Sequence, residues 1–178
     1  MLREATLMDI EEIYTPLNRT LLISLHPEYV SAIMNQTKII EYRKRFFKDA
    51  FQAFVCTTGP NGGIELFIDC DAPIISNANN LATIGSLLQN DDYTEIHDYF
   101  NDNNSGFIIP IKSAVSFPKI PRKRLLNEFS NFVVPQSYLF LDDPKKADLL
   151  KFLLSISYKD HWTLNWEDKY DSISQIIQ

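Results

Sequence analysis

The sequence predicts an α+β protein built as a small mixed β-barrel with flanking helices. Six short stretches have strand character, and helical patterns lie between them. The chain has 178 residues and is 45% hydrophobic, which suits one compact domain with added segments better than two full domains. The count of six strands carries this reading. Closure of the barrel does not follow from periodicity alone.

Residues 1–19 read as a helical arm: Leu7, Ile10, Ile13 and Tyr14 recur at helical spacing, and Pro16 and Asn18 end it. Residues 20–25 (TLLISL) form a short buried strand. Residues 26–36 (HPEYVSAIMNQ) form a helix. Pro27 suits its first position, Val30, Ile33 and Met34 make its apolar face, and Asn35 is placed to take the left-handed turn that ends it. In the strand at 38–43 (KIIEYR), Ile40 and Tyr42 share one face, and Ile39, Glu41 and Arg43 the other.

Residues 51–58 (FQAFVCTT) and 63–70 (GIELFIDC) are strands joined by the turn signal GPNGG. Helical patterns follow at 81–89 and 93–100. Residues 106–117 (GFIIPIKSAVSF) are strongly strand-like, with Pro110 marking an edge or a bulge. A short helix opens at Pro121, and residues 133–141 (VVPQSYLFL) are the last strand. Asp143 and Pro144 open an amphipathic helix that leads into a polar, Trp-bearing tail. The organisation expected is a helical arm at 1–19, the barrel at 20–142 and a C-terminal helical extension at 143–178.

Charged residues are 22% of the chain and glycines number 5, which excludes disordered and fibrous classes. No signal-type apolar run opens the sequence, and none approaches the roughly 20 residues of a membrane helix, so a cytoplasmic protein with no membrane partner is expected. Cys56 and Cys70 fall on neighbouring predicted strands, close enough to meet, and read as buried thiols of a reducing compartment. His26, His97 and His161 lack metal-ligand spacing, so neither a metal nor a cofactor is expected.

The chain carries a formal net charge of -6, yet Lys38, Arg43, Lys44, Arg45 and Lys48 lie within residues 38–48 of TKIIEYRKRFFKD, with one acid, Glu41, among them. Lys119, Arg122, Lys123 and Arg124 form a second basic cluster. If the fold brings the two together, a basic face on an acidic body attracts phosphates; if not, each is a solvated charge run. Glu41 and Arg43, two residues apart on one strand face, suit either a ligand or a structural ion pair. A guanidinium docks a phosphate or base edge, and a carboxylate beside it orients it or accepts a proton. Lys38 joins them only if the strand begins after it. Phe46 and Phe47 are the candidates for base stacking, because adjacent rings in a strand cannot both face one core. GPNGG lacks the Lys-Ser ending of a phosphate loop, and no Ser-His-Asp or Cys-His set is evident.

In this order the stretches LLISLHPEYVSAIMNQTKIIEYRKR, FVCTTGP with GIELFIDC, GFIIPIKSAVSFPKIP and FVVPQSYLFL resemble the ASCH family of PUA-like barrels, over about residues 21–141. The first stretch resembles that family's Gly-x-Lys-Thr-x-Glu-x-Arg segment, with Gln36 where the glycine usually stands and Ile39 where threonine is frequent. Asn35 is then the residue expected to make the turn. The resemblance implies an RNA-binding or nucleotide-binding domain; some relatives are amidohydrolases on acylated cytidine and others ribonucleases. In the amidohydrolase type, a lysine acts with a threonine three residues on and a glutamate near the central helices. Lys38 matches the lysine, Glu41 replaces the threonine, and Asp91, Asp92 or Glu95 stands near the third place. The expected ligand cleft is Ser24, Lys38, Glu41, Arg43, Arg45 and Thr58, with Lys44 and Lys48 as approach surface. An enzyme on this cleft would use Lys38 and Glu41. A third reading is a protein-interaction module, or homo-oligomer, formed through the C-terminal helix near 149–154.

Overall fold

The computed structural model describes residues 7–177. Its strands are β1 (Met8–Asp9), β2 (Arg19–Leu25), β3 (Ile40–Arg43), β4 (Phe51–Thr57), β5 (Gly63–Cys70), β6 (Ile74–Ser76), β7 (Gly106–Pro121), β8 (Tyr138–Phe140), β9 (Ser157–Tyr158) and β10 (Asp160–Thr163). The helices are α1 (Pro27–Met34), α2 (Ala78–Gln89), α3 (Tyr93–Phe100), α4 (Arg122–Glu128), α5 (Ala147–Leu154) and α6 (Glu167–Ile173), with 3-10 turns at Ile10–Glu12 and Pro144–Lys146. No helix among the described residues is long and apolar enough to cross a membrane.

The main sheet runs β10-β7-β5-β4-β2-β8, with β3 and β6 also paired to β7. Among the described residues only β2 and β4 pair in parallel, and the crossover between them carries α1 and β3. The long β7 changes partners partway. Its first residues pair with β3 and β6, and its later ones with β5 and β10. Pro110 sits at that change, where the register with β5 shifts and a missing N–H costs no ladder bond.

The sheet curls into a half-barrel, and rings fill the seam between β3 and β8. Phe46 lies 4.8 Å from Tyr138 and 5.4 Å from Phe51, and Phe47 lies 5.7 Å from Phe140. The stacking role expected for Phe46 is therefore corrected, since its ring is buried, and Phe47 is half-buried against Phe51, Tyr138 and Phe140. Strand parity fails because residues 44–50 are not a strand, so adjacent side chains need not point apart.

Two cores result. Leu21, Ile23, Ala53, Val55, Ile68 and Ile109 fill the barrel, whereas Leu22, Phe54, Phe67 and Val115 pack outside it beneath Leu125 of α4 and Leu149 and Leu153 of α5. The cysteines are separated by this division, with Cys70 in the inner core and Cys56 in the outer one, so they do not meet as neighbouring strands suggested. Burial pushes the Cys56 thiol up to about 11 and Cys70 well above its ordinary value, which keeps both as unreactive thiols.

Both termini depart from the sequence reading. Residues 1–6 of the expected arm lie outside the described residues. The remainder of the arm is no α-helix: β1 pairs with β9, Ile10 N–H donates to the Ile156 carbonyl (2.9 Å), and only one 3-10 turn follows. Ile10 packs into the outer core beside Leu149 and Leu153 of α5, while Leu150, Phe152 and Leu154 of that helix are half-buried. The polar tail contributes β10 to the sheet and two tryptophans to the inner core. Trp162 Nε1 donates to the Ile33 carbonyl (2.9 Å) and Trp166 Nε1 to the Ile111 carbonyl (2.8 Å).

Arg19 at the start of β2 grips Asp142 just after β8, through Nε (2.7 Å) and Nη2 (3.0 Å). Burial opposes the charge on Asp142, but the hydrogen bonds from Arg19 and from the Thr20 amide outweigh it and hold the carboxyl below its ordinary range. The unfolded carboxyl therefore titrates at the higher pH. The stability this pair adds is complete above that unfolded value and disappears as pH falls through the lowered folded one. Because Arg19 is half exposed, Asp142→Asn is expected to cost only about 0.5 kcal/mol at pH 7. Urea denaturation at pH 7 and pH 3 should show this difference shrinking at the lower pH.

Candidate functional site

The site begins at the end of α1. Asn35 keeps a right-handed φ of -84°, and Gln36 instead takes the left-handed φ of 62°. The turn thus uses the position where the resemblance placed glycine, correcting the expectation that Asn35 would serve. Its hydrogen bonds are those of a Schellman cap: Thr37 N–H to the Ala32 carbonyl (2.9 Å) and Gln36 N–H to the Ile33 carbonyl (3.1 Å). Lys38 N–H also reaches Ala32 (3.0 Å), so Lys38 precedes β3 and is free of strand parity. A side chain in the left-handed region costs about 1–2 kcal/mol. Gln36→Gly is expected to stabilise the fold by about 0.5–1 kcal/mol after the chain entropy of glycine is offset, read as a higher urea midpoint.

Lys38, Glu41 and Arg43 then converge. Glu41 Oε2 lies 3.0 Å from Lys38 Nζ, and Glu41 Oε1 lies 3.0 Å from Arg43 Nε. Lys38 and Glu41 are only 5% and 8% exposed. The rings of Tyr29 and Tyr42 flank the ammonium at 5.0 and 5.4 Å. Arg43 Nη2 donates to the Ser24 carbonyl (2.9 Å), tying β3 to β2 across the barrel mouth. Both carboxylate oxygens are thus taken, while each cation keeps N–H groups that these bonds do not use.

The α2–α3 connection forms the facing wall. Gln89, the last residue of α2, accepts from Ile39 N–H (2.6 Å) and Ile40 N–H (3.0 Å) and donates to Asp91 (2.9 Å). Asp91 also accepts the Tyr42 hydroxyl. Burial first, and then Asp91, push that hydroxyl above its ordinary value, so Tyr42 stays protonated and donates. Tyr42 comes this close only because Gly85 of α2 has no side chain; a Cβ there would overlap the hydroxyl. Asp92 caps α3 by accepting Glu95 N–H (2.9 Å).

Between these walls lies a cavity of about 870 Å³. Of the residues expected in the cleft, Ser24, Lys38, Glu41, Arg43 and Thr58 all line it. Ser24 Oγ donates to the Pro135 carbonyl (2.6 Å), and Thr58 Oγ1 lies 3.1 Å from His26 Nδ1. Arg45 is not among the lining residues and stands exposed after β3. Lys44 lies 3.4 Å from Asp102 and 5.2 Å from the ring of Tyr99, which lines the cavity, and Lys48 is exposed. Asp91, Asp92 and Glu95, the three acids near the expected third place, all line the cavity.

The second basic cluster does not join this wall. Arg122 and Lys119 donate to the Gly59 and Asn61 carbonyls of the β4–β5 turn (3.1 and 3.0 Å), and Arg124 pairs with Glu128 (2.7 Å). The sequence reading missed Tyr29, Gln89, Tyr99 and Gln136 as lining residues. Gln136 lies in the quoted FVVPQSYLFL stretch, a signal that could have found it; the other three carry none. Among the described residues, no group of three or more His, Cys, Asp or Glu is arranged to hold a metal ion.

The architecture has counterparts among solved structures. The crystal structure of an ASCH protein from Zymomonas mobilis superposes with a TM-score of 0.64 at 21% sequence identity, covering 75% of this chain and 94% of that one. A serine-to-alanine mutant of the Zymomonas mobilis ASCH protein superposes at 0.63 with 22% identity, covering 78% of this chain and 99% of that one. No protein-family model matches the chain, and no curated protein matches it in sequence. The chain has the ASCH fold, as the opening resemblance implied, and at this identity the likeness is one of fold.

Proposed function

We propose that the cavity binds a ligand carrying a nucleobase: a nucleoside, a nucleotide or an unpaired base of RNA. The carrying observation is the buried Lys38–Glu41–Arg43 cluster at the base of an open, aromatic-rimmed cavity of base-accommodating size. Lys38 and Arg43 offer N–H donors to base carbonyls, and the carboxylates and the Gln136 side chain offer acceptors or an amide to base amino groups. Tyr29 and Tyr99 are 43% and 41% exposed, which leaves ring faces for stacking. The ASCH fold supports this reading through the base- and RNA-binding habit that the resemblance implies.

The test is titration of the chain with nucleosides, nucleotides and short single-stranded RNA. Binding is expected to weaken at least tenfold in Arg43→Ala, as loss of a charge-assisted donor implies. Absence of binding to every probe, or full affinity in the variant, would overturn the proposal.

A hydrolase on the same cavity is the second reading. It is favoured by Asp91, Asp92 and Glu95 lining the wall that faces Lys38. Against it, Glu41 stands where the amidohydrolase type has its hydroxyl and pairs with Lys38. Product release from acylated nucleosides or RNA that stops in Lys38→Ala would establish the enzyme; no turnover on either substrate would dismiss it.

A further inference from the structure

The charges around the cavity form two tiers. At the floor, Glu41 is held between Lys38 and Arg43, 3.0 Å from each. At the mouth, the start of α3 supplies Asp92 and Glu95, both exposed, with Asp91 beside them. The lining thus sets two cations against four carboxylates, despite its position in the most basic stretch of the chain.

A phosphate finds no favourable place in this set. At the floor it would have to reach Lys38 and Arg43 past a carboxylate already lodged between them, in a region where desolvation penalises each added charge. At the mouth it would meet Asp92 and Glu95, screened by water but still repulsive. An uncharged base edge meets neither obstacle. Its carbonyl oxygens take the unused N–H groups of Lys38 and Arg43, and its amino groups face carboxylates.

We propose that the cavity selects unphosphorylated nucleosides over the matching nucleotides, with Asp92 and Glu95 as the residues that set the selection. This rests on the base-binding reading above.

The test is calorimetric titration of the full chain with the four ribonucleosides and their 5′-monophosphates. At low salt, the best nucleoside is expected to bind roughly tenfold more tightly than its monophosphate, and the gap should narrow at about 0.5 M salt. The double variant Asp92→Asn/Glu95→Gln, in which asparagine keeps the helix cap, should bring the ratio below about threefold. A monophosphate that binds as tightly as its nucleoside, or a ratio unchanged in the double variant, overturns the selection and leaves base binding standing. Failure of both ligand sets to bind overturns both.

Discussion

Glu41→Ala is expected to destabilise the protein by about 3–5 kcal/mol, lowering the thermal midpoint by on the order of 10 °C. The size follows from what would be left behind. Lys38 and Arg43 are largely buried, and Glu41 is the carboxylate that pairs with each of them. Without it two cations share a low-dielectric floor with no counter-charge between them. Lys38→Met combined with Glu41→Gln should cost less than Glu41→Ala alone, because the unpaired ammonium is gone and Arg43 keeps an acceptor. Thermal and urea unfolding of the three proteins measure both statements. A Glu41→Ala protein within about 1 kcal/mol of the parent would show that the cluster is not sequestered as described.

Trp166→Ala should cost about as much, near 4 kcal/mol, from a large cavity and an orphaned Ile111 carbonyl. Trp166 is 4% exposed and packs in the inner core with Trp162, Ile111 and Ile173. Truncation after residue 156 removes both tryptophans together with β9 and β10, and is expected to abolish cooperative unfolding by calorimetry. A truncated chain that retained a sharp transition would contradict the place given to the C-terminal segment.

The convergence of Lys38, Glu41 and Arg43 was legible through local rules. A short strand fixes that Glu41 and Arg43 share a face, and the turn after α1 frees Lys38 to join them, whichever residue makes the turn. Six strands and their order were readable because each carries its own apolar pattern. The long-range pairings were not. Nothing in DHWT announces a strand whose partner lies more than forty residues earlier, and β1 has two residues whose partners are Ser157 and Tyr158. The facing wall of the cavity was only half legible for the same reason. Asp91, Asp92 and Glu95 could be suspected by position, but Gln89 acts through backbone groups fifty residues away. Phe46 and Phe47 misled because parity was applied to residues that form no strand.

The pairing of β1 with β9 and of β10 with β7 also bears on how the chain acquires its fold during synthesis. A ribosome delivers residues in order, and domains take shape as their last contributing piece emerges. The outer edge of β7 along Ser113–Ser116 has to wait for Asp160–Thr163, and β1 waits for β9, about 150 residues later. Until then a nascent chain presents an unprotected apolar strand edge, the kind of surface that chaperones hold and that otherwise templates aggregation. Emergence and pairing of Ser157–Thr163, more than any local event, is therefore the step at which this barrel becomes complete.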